Sequence, residues 1–80
     1  MELHPDKKQL LELVHYRMPY GKYKGRYLLD LPLAYLDWFN RKGFPPGKLG
    51  GFLELMFTVK DNGLEPMLRR LQKEFPVKSS

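Results

Sequence analysis

One ten-residue stretch, residues 18–27 with the sequence MPYGKYKGRY, combines the residue types that attract phosphate and stack on bases. It carries three cations and three tyrosines, and it is interrupted by a proline and two glycines. Cations attract phosphate, aromatic faces stack on bases, and glycines let the backbone turn tightly or approach a ligand closely. A stretch that serves only to fold seldom needs all three, so residues 18–27 predict a binding surface.

The cations of this stretch alternate with other residues. If the chain is extended here, Lys22, Lys24 and Arg26 share one face and form a positive ridge for phosphates. Tyr23 lies between two lysines, where burial would draw charge inward, so we expect it to be exposed as a stacking platform. The alternative is a solvated strand edge, which lysines commonly protect from aggregation.

The other aromatic residues near this stretch divide into expected core residues and undecided ones. Aromatic side chains contribute large apolar areas to cores, and we expect Tyr27 and Tyr35 to belong to the core. Tyr20 and Trp38 are part of the aromatic motif of the candidate site. The sequence leaves open whether these two lie in the core or on the surface.

The positive charge of the chain is concentrated in its middle. Residues 17–48 contain seven basic and two acidic side chains, whereas the rest of the chain contains seven of each, so the net charge of +5 belongs to this segment. A local excess of charge binds and steers anions, whereas a diffuse one mostly aids solubility. Six cations of the segment are predicted to contact phosphate: Lys22, Lys24, Arg26, Arg41, Lys42 and Lys48.

The residue types needed for catalysis are scarce. The chain has no cysteine, its two serines are the last two residues, and its one threonine is Thr58. Asp30 precedes a predicted helix and is interpreted as helix-entry chemistry, and Asp37 can pair with Arg41 four residues later. The sequence therefore predicts a protein that is not an enzyme, with no metal site and no cofactor. A small nuclease would require Asp30, Asp37 and another acid to converge.

Length and composition predict one domain spanning residues 1–80, with residues 76–80 as a frayed tail. No apolar run approaches the ~20 residues needed to cross a bilayer, and the N-terminus lacks the pattern of a secretory signal. With no cysteine, these features predict a cytoplasmic protein that does not associate with membranes.

The spacing of apolar residues and the signals that begin and end helices predict an α+β fold that is mostly helical. Apolar residues recur at helical spacing in four segments, at about 7–17, 32–42, 48–61 and 64–75. Between the first two helices, aromatic and apolar residues flank a glycine-marked turn, which predicts one short β-hairpin around residues 18–29. Gly21 and Gly25 are predicted to supply positive φ at this turn.

The residues named so far also carry a resemblance. The runs 18–25, 30–32, 35–39, 42–45 and 47–50 together resemble a small bacterial family of unknown function labelled "putative quorum-sensing-regulated virulence factor", over about residues 16–68. A shorter part, residues 21–25 with Trp38, is similar to the C-terminal domain appended to exodeoxyribonuclease X-like proteins. There the catalytic carboxylates lie in a separate domain. The resemblance implies an accessory module that touches nucleic acid, and it transfers no catalytic residue.

Two functional hypotheses follow from these observations. The first is a non-enzymatic module that binds DNA or RNA, single-stranded or irregular, with the six cations on phosphates and Tyr23 on a base. The second is a protein-interaction or regulatory adaptor, in which the tyrosines and Met18 meet an acidic protein or a second copy of the chain. Oligomeric state and any link to virulence or quorum sensing do not follow from the residues.

Overall fold

The computed structural model describes residues 6–76, so residues 77–80 of the predicted tail at 76–80 lie outside the described range. Four α-helices follow in order: α1 at Lys7–His15, α2 at Leu33–Lys42, α3 at Gly47–Asp61 and α4 at Glu65–Glu74. A short 3-10 turn at Leu28–Asp30 precedes α2. The four predicted helices are confirmed.

Local signals account for where these helices begin and end. Asp6 caps α1 through a capping box, accepting a hydrogen bond of 2.8 Å from the main-chain N–H of Gln9. This contact satisfies one of the donors that a helix N-terminus leaves without a partner. At the end of α2, the N–H of Gly43 closes the last turn on the carbonyl oxygen of Phe39.

The core lies where two helix pairs meet. Helix α2 packs on α3 and α1 packs on α4, and the 3-10 turn contacts α1, α3 and α4. Leu28, Leu29 and Leu31 are fully buried at this junction. The other fully or largely buried side chains are Leu13, Val14, Met18, Leu36, Phe39, Phe52, Leu53, Met56, Val59 and Leu68.

The predicted β-hairpin around residues 18–29 is wrong, and with it the α+β class, because residues 6–76 contain no β-strand. The two arms share only one isolated antiparallel bridge, between Arg17 and Tyr27. A strand would send consecutive side chains to opposite faces, yet Leu28 and Leu29 both have to be buried. A 3-10 turn allows this, and it replaces the second arm of the hairpin.

A charged network joins α4 to the 3-10 turn and to α3. Arg69 donates hydrogen bonds to Asp30 and to Glu65, and Lys60 of α3 donates one to Glu65 at 3.2 Å. The sequence had suggested that Asp30 caps α2. Asp30 pairs with Arg69 instead and does not cap this helix. Burial by itself raises the pKa of Glu65, but the hydrogen bonds from Arg69 and Lys60 outweigh it and hold the pKa below its usual value.

Substitution of Glu65 by Gln should make the free energy of unfolding less dependent on pH under acidic conditions. The pKa of Glu65 in the folded protein lies below its ordinary value of 4.5. The stabilising contribution of the carboxylate is therefore complete above that pH and is lost as the pH falls through the folded pKa. Urea unfolding at a series of pH values, from about pH 7 to about pH 3, measures this loss.

The control for this experiment is Glu54→Gln, which removes the same charge from an exposed position on α3. The Glu54 carboxylate makes no ion pair within residues 6–76. An acid-induced loss of stability as large in E65Q as in the wild type would contradict the assigned network.

Two neighbouring glycines of α3 should respond oppositely to alanine. A Cβ at Gly50 would overlap the main-chain carbonyl of Pro45, whereas a Cβ at Gly51 meets nothing within 4 Å. We expect Gly50→Ala to lower the free energy of unfolding by at least about 2 kcal/mol through the forced shift of packed backbone. Gly51→Ala should raise it by about 0.5–1 kcal/mol, because alanine is the better helix former. Denaturant unfolding of both variants tests the close packing of residues 43–46 on α3, and equal effects would refute it.

Candidate functional site

The candidate binding segment is a closed loop, here called the basic loop, residues 18–26. Its ends are joined by two main-chain hydrogen bonds, from Met18 N–H to Arg26 O at 2.8 Å and from Gly25 N–H to Met18 O at 2.7 Å. Between them the chain turns twice, with Lys24 N–H bonded to Gly21 O and Arg26 N–H bonded to Tyr23 O. The loop is therefore curved, and the extended ridge that would align its cations on one face is not formed.

Gly21 and Gly25 shape the loop as the sequence predicts. Their φ angles are +83° and +87°, in the region where a Cβ is disfavoured and glycine is readily accommodated. Both positions let the backbone reverse direction on either side of Lys22–Lys24. The glycines therefore have a structural role that is compatible with ligand binding.

A single side chain outside the loop holds its returning arm. Arg17 Nη1 donates to the carbonyl oxygen of Gly25 at 2.7 Å, and Nη2 donates to the Tyr27 hydroxyl at 2.8 Å. The guanidinium carbon of Arg17 also lies 4.1 Å from the centre of the Tyr27 ring. Sequence reasoning counted Arg17 only as part of the charge excess, because its partners lie eight and ten residues away.

An open groove of about 640 Å³ runs between the basic loop and α2, and we call it the aromatic groove. Its floor and walls are mostly aromatic, and Lys22 is the one charged residue among those that line it. The lining residues are Tyr20, Gly21, Lys22, Tyr23, Pro32, Ala34, Tyr35, Trp38 and Phe39. The groove thus brings together the predicted aromatic motif, Tyr20 and Trp38, with part of the predicted turn.

Tyr23 is half-buried, so the expectation of a freely exposed ring between two lysines is wrong. Its ring meets the ring of Tyr35 edge-on, with centroids 4.7 Å apart, and it packs against the core. Lys22 avoids burial because its ammonium lies over the Tyr23 ring, 5.5 Å from the centre. A cation can keep its charge in water while the adjacent aromatic ring turns inward, which the sequence argument did not allow for.

The surface aromatic residues of the site are instead Trp38 and Tyr20. Their exposed fractions are 49% and 50%, which decides the question that the sequence left open. The Trp38 ring meets the Phe39 ring edge-on, with centroids 5.1 Å apart. This contact holds the Trp38 ring in place while part of the ring faces solvent. These two rings are the most accessible stacking surfaces that border the groove.

Tyr35 lies deeper in the groove and packs against the core, as expected for a core tyrosine. Burial raises the pKa of the Tyr35 phenol above its usual value, and the nearby phenols of Tyr20 and Tyr23 raise it further. The phenol therefore keeps its proton at neutral pH and remains a hydrogen-bond donor.

The basic loop supplies three exposed cations, Lys22, Lys24 and Arg26. In the part of the chain that the structure describes, no carboxylate lies within salt-bridge distance of any of the three. They are therefore available to an anion beside the groove.

The remaining three predicted phosphate contacts differ from the loop cations. Arg41 pairs with Asp37 at 3.2 Å, the i,i+4 contact anticipated from the sequence, and Lys48 pairs with Glu12 of α1 at 2.5 Å. The hydrogen bond to Glu12 raises the pKa of Lys48 above its usual value. Lys42 is exposed in the last turn of α2, where it complements the helix dipole. The six cations do not form one continuous set of unpaired charges.

The fold and the groove together define a small helical domain with an exposed aromatic site flanked by basic residues. The family described as "putative quorum-sensing-regulated virulence factor" matches residues 6–71, and the chain belongs to this family. That description names no ligand and no molecular activity.

Two relatives are named only as uncharacterized. The chain is 46% identical over 69 residues to the "Uncharacterized protein YpeB" of Escherichia coli K12 and to that of E. coli O157:H7. Each alignment covers 85% of this chain and 96% of the relative. No solved structure matches the chain significantly. The further likeness to the C-terminal domain of exodeoxyribonuclease X-like proteins stays a prediction from the sequence.

Residues 6–76 contain neither a helix that could span a membrane nor a cluster of metal-ligating side chains. No helix in this range is both long and apolar enough to cross a membrane. Within the same range, no three His, Cys, Asp or Glu side chains are grouped so as to hold a metal ion. The aromatic groove with the basic loop is the candidate binding site.

Proposed function

We propose that the aromatic groove and the basic loop bind single-stranded nucleic acid without catalysing a reaction on it. The observation that carries this proposal is the position of two half-exposed rings, Trp38 and Tyr20, on a groove that Lys22 also lines. Lys22 belongs to a loop with three exposed cations, none of which has a carboxylate partner within residues 6–76. Aromatic surfaces with a positively charged rim are the combination by which proteins bind single strands with little sequence preference.

The rings supply the contacts to the bases. Stacking of one base on an aromatic side chain contributes about 1–3 kcal/mol. Trp38 is packed on Phe39 and so loses little conformational freedom when a base stacks on it. In a duplex the base faces are covered by neighbouring bases, so a site of this kind favours unpaired strands.

The cations supply the contacts to the phosphates. Lys22 lines the groove itself, and Lys24 and Arg26 lie on the same loop. Because Arg41 and Lys48 are paired with carboxylates, the electrostatic contribution is smaller than the six cations in the sequence suggested. Binding should therefore depend on stacking as well as on charge.

The carboxylates near the site support a binding role. Asp30 is bonded to Arg69 of α4, and Asp37 is paired with Arg41. Neither acid is among the residues that line the groove. A nuclease would need such acids to converge at the bound strand, so the proposal is a binding module.

A second candidate is the recognition of a protein segment in the same groove, and the apolar character of the lining favours it. Tyr, Trp and Arg are enriched at the centres of protein interfaces. An acidic protein or a second copy of the chain would then occupy the groove. A pull-down with and without nuclease distinguishes the candidates, because a partner retained through nucleic acid is lost after digestion.

The first test of the proposal is the salt dependence of binding to a labelled oligothymidine, measured by fluorescence anisotropy. For single strands the slope of log K against log salt is about −0.7 per phosphate contacted, so three contacts predict a slope of about −2. The double variant Lys22→Ala/Lys24→Ala should reduce the slope to about −0.7. Its unfolding midpoint should stay close to that of the wild type, because exposed lysines contribute little to folding.

Two outcomes would count against the proposal. One is a wild-type protein that binds neither DNA nor RNA single strands at low salt. The other is binding whose affinity does not change with salt, because the phosphates would then not be contacted by cations.

The second test removes the main stacking surface. Trp38→Ala should weaken binding to the oligothymidine about fivefold or more, since stacking on one aromatic ring contributes about 1–3 kcal/mol. Met67→Ala is the control, because Met67 has the same exposed fraction of 49% but lies on α4, outside the groove lining. Equal affinity of the two variants would show that Trp38 does not contact the strand, and it would count against the groove as the binding site.

A further inference from the structure

We propose that Arg17 is a positioning residue of this site, which fixes the conformation of the basic loop and does not itself contact phosphate. This inference rests on the proposed function. It gives a distinct role to one of the seven cations in the positive segment, and it names an interaction within the protein on which ligand affinity depends.

The guanidinium of Arg17 is held by two hydrogen bonds and by an aromatic ring within the protein. Nη1 is bonded to Gly25 O and Nη2 to the Tyr27 hydroxyl. One face of the guanidinium lies over the Tyr27 ring, with the central carbon 4.1 Å from the ring centre. A phosphate is bound best by the paired N–H donors of the guanidinium fork, and in Arg17 each terminal nitrogen already gives one of its two N–H groups to an acceptor within the protein.

The position of Gly25 explains how Arg17 acts on the loop. Gly25 N–H donates to Met18 O at 2.7 Å, while Gly25 O accepts from Arg17 at 2.7 Å. Gly25 is thus held by both its N–H and its carbonyl, and it lies between the two exposed cations Lys24 and Arg26. Without the bond from Arg17, the peptide unit between Gly25 and Arg26 is held mainly by the bond from Arg26 N–H to Tyr23 O.

Arg17 affects ligand affinity through the number of conformations that the basic loop samples. A loop with a positive-φ glycine samples many conformations when its contacts are removed, and a ligand that binds only one of them has a reduced apparent affinity. Arg17 therefore raises affinity by keeping Lys24 and Arg26 where the strand passes. Its own positive charge is not what the strand contacts.

Three variants separate positioning from direct contact. Arg17→Lys keeps the positive charge but loses the planar fork that reaches two acceptors at once. Tyr27→Phe keeps the charge of Arg17 and the aromatic ring, and it removes only the hydroxyl that accepts from Nη2. Lys24→Ala, the control, removes one exposed loop cation and leaves both Arg17 bonds in place.

The binding experiment is the anisotropy titration with labelled oligothymidine over a range of salt concentrations. We expect R17K to bind about tenfold more weakly than the wild type, the loss typical of hydrogen bonds from a charged group, with an unchanged salt slope. Y27F should show a smaller loss in the same direction, again with the wild-type slope. K24A should instead make the slope shallower by about 0.7. Wild-type affinity in both R17K and Y27F would overturn the inference, because the bonds that Arg17 makes to the loop and to Tyr27 would then not affect binding.

Amide hydrogen exchange of the free protein tests the same role without a ligand. The amides of Met18 and Gly25, which close the loop, should exchange faster in R17K than in the wild type. The amides of Leu53 and Met56 in the core of α3 should be unaffected. Equal acceleration of loop and core amides would overturn the inference, since Arg17 would then support overall stability only. Absence of wild-type binding would overturn the proposed function and this inference with it, whereas normal wild-type binding with unaltered variants overturns the inference alone.

Discussion

Burial of the leucines in and just after the 3-10 turn is the constraint on which the rest of this structure depends. Leu28, Leu29 and Leu31 are fully buried where α1, α3 and α4 meet, and each fully buried leucine contributes about 1.5–3 kcal/mol. Met18, at the other end of the basic loop, is also almost fully buried. Both ends of the loop are therefore anchored in the core, so its middle can remain exposed and charged without unfolding the region.

The same anchoring divides the aromatic residues into two groups. The inner group packs edge to face from Tyr23 through Tyr35 to Phe39, with successive centroids 4.7 and 5.2 Å apart. This chain of rings joins the loop to α2 and forms the floor of the groove. Trp38 and Tyr20 lie outside it, each about half exposed. In the proposed binding mode, a base stacks on the outer rings while the inner ones hold the walls of the groove in place.

The sequence predicted the local features of this molecule and missed the non-local ones. Helices were found because spacing, caps and glycine stops act within a few residues, and the pair formed by Asp37 and Arg41 lies one helical turn apart. The alternation of Lys22, Lys24 and Arg26 looks like a strand, but the adjacent leucines of the 3-10 turn have to be buried together. The partners of Asp30 and Lys48 lie 39 and 36 residues away, and no local pattern identifies them.

These pairings change what the positive charge can do. Ion pairs such as that of Lys48 with Glu12 leave the net charge of +5 unchanged, so the protein still attracts anions over distances comparable to a Debye length. Direct contact is more local, because it requires cations without a carboxylate partner, and near the groove these lie on the basic loop. Attraction over a distance and recognition at the surface therefore depend on different residues. In the proposed binding mode, three cations and two exposed rings contact the strand, and so few contacts are weak unless they are held in place. The geometry of the loop then matters as much as its charge.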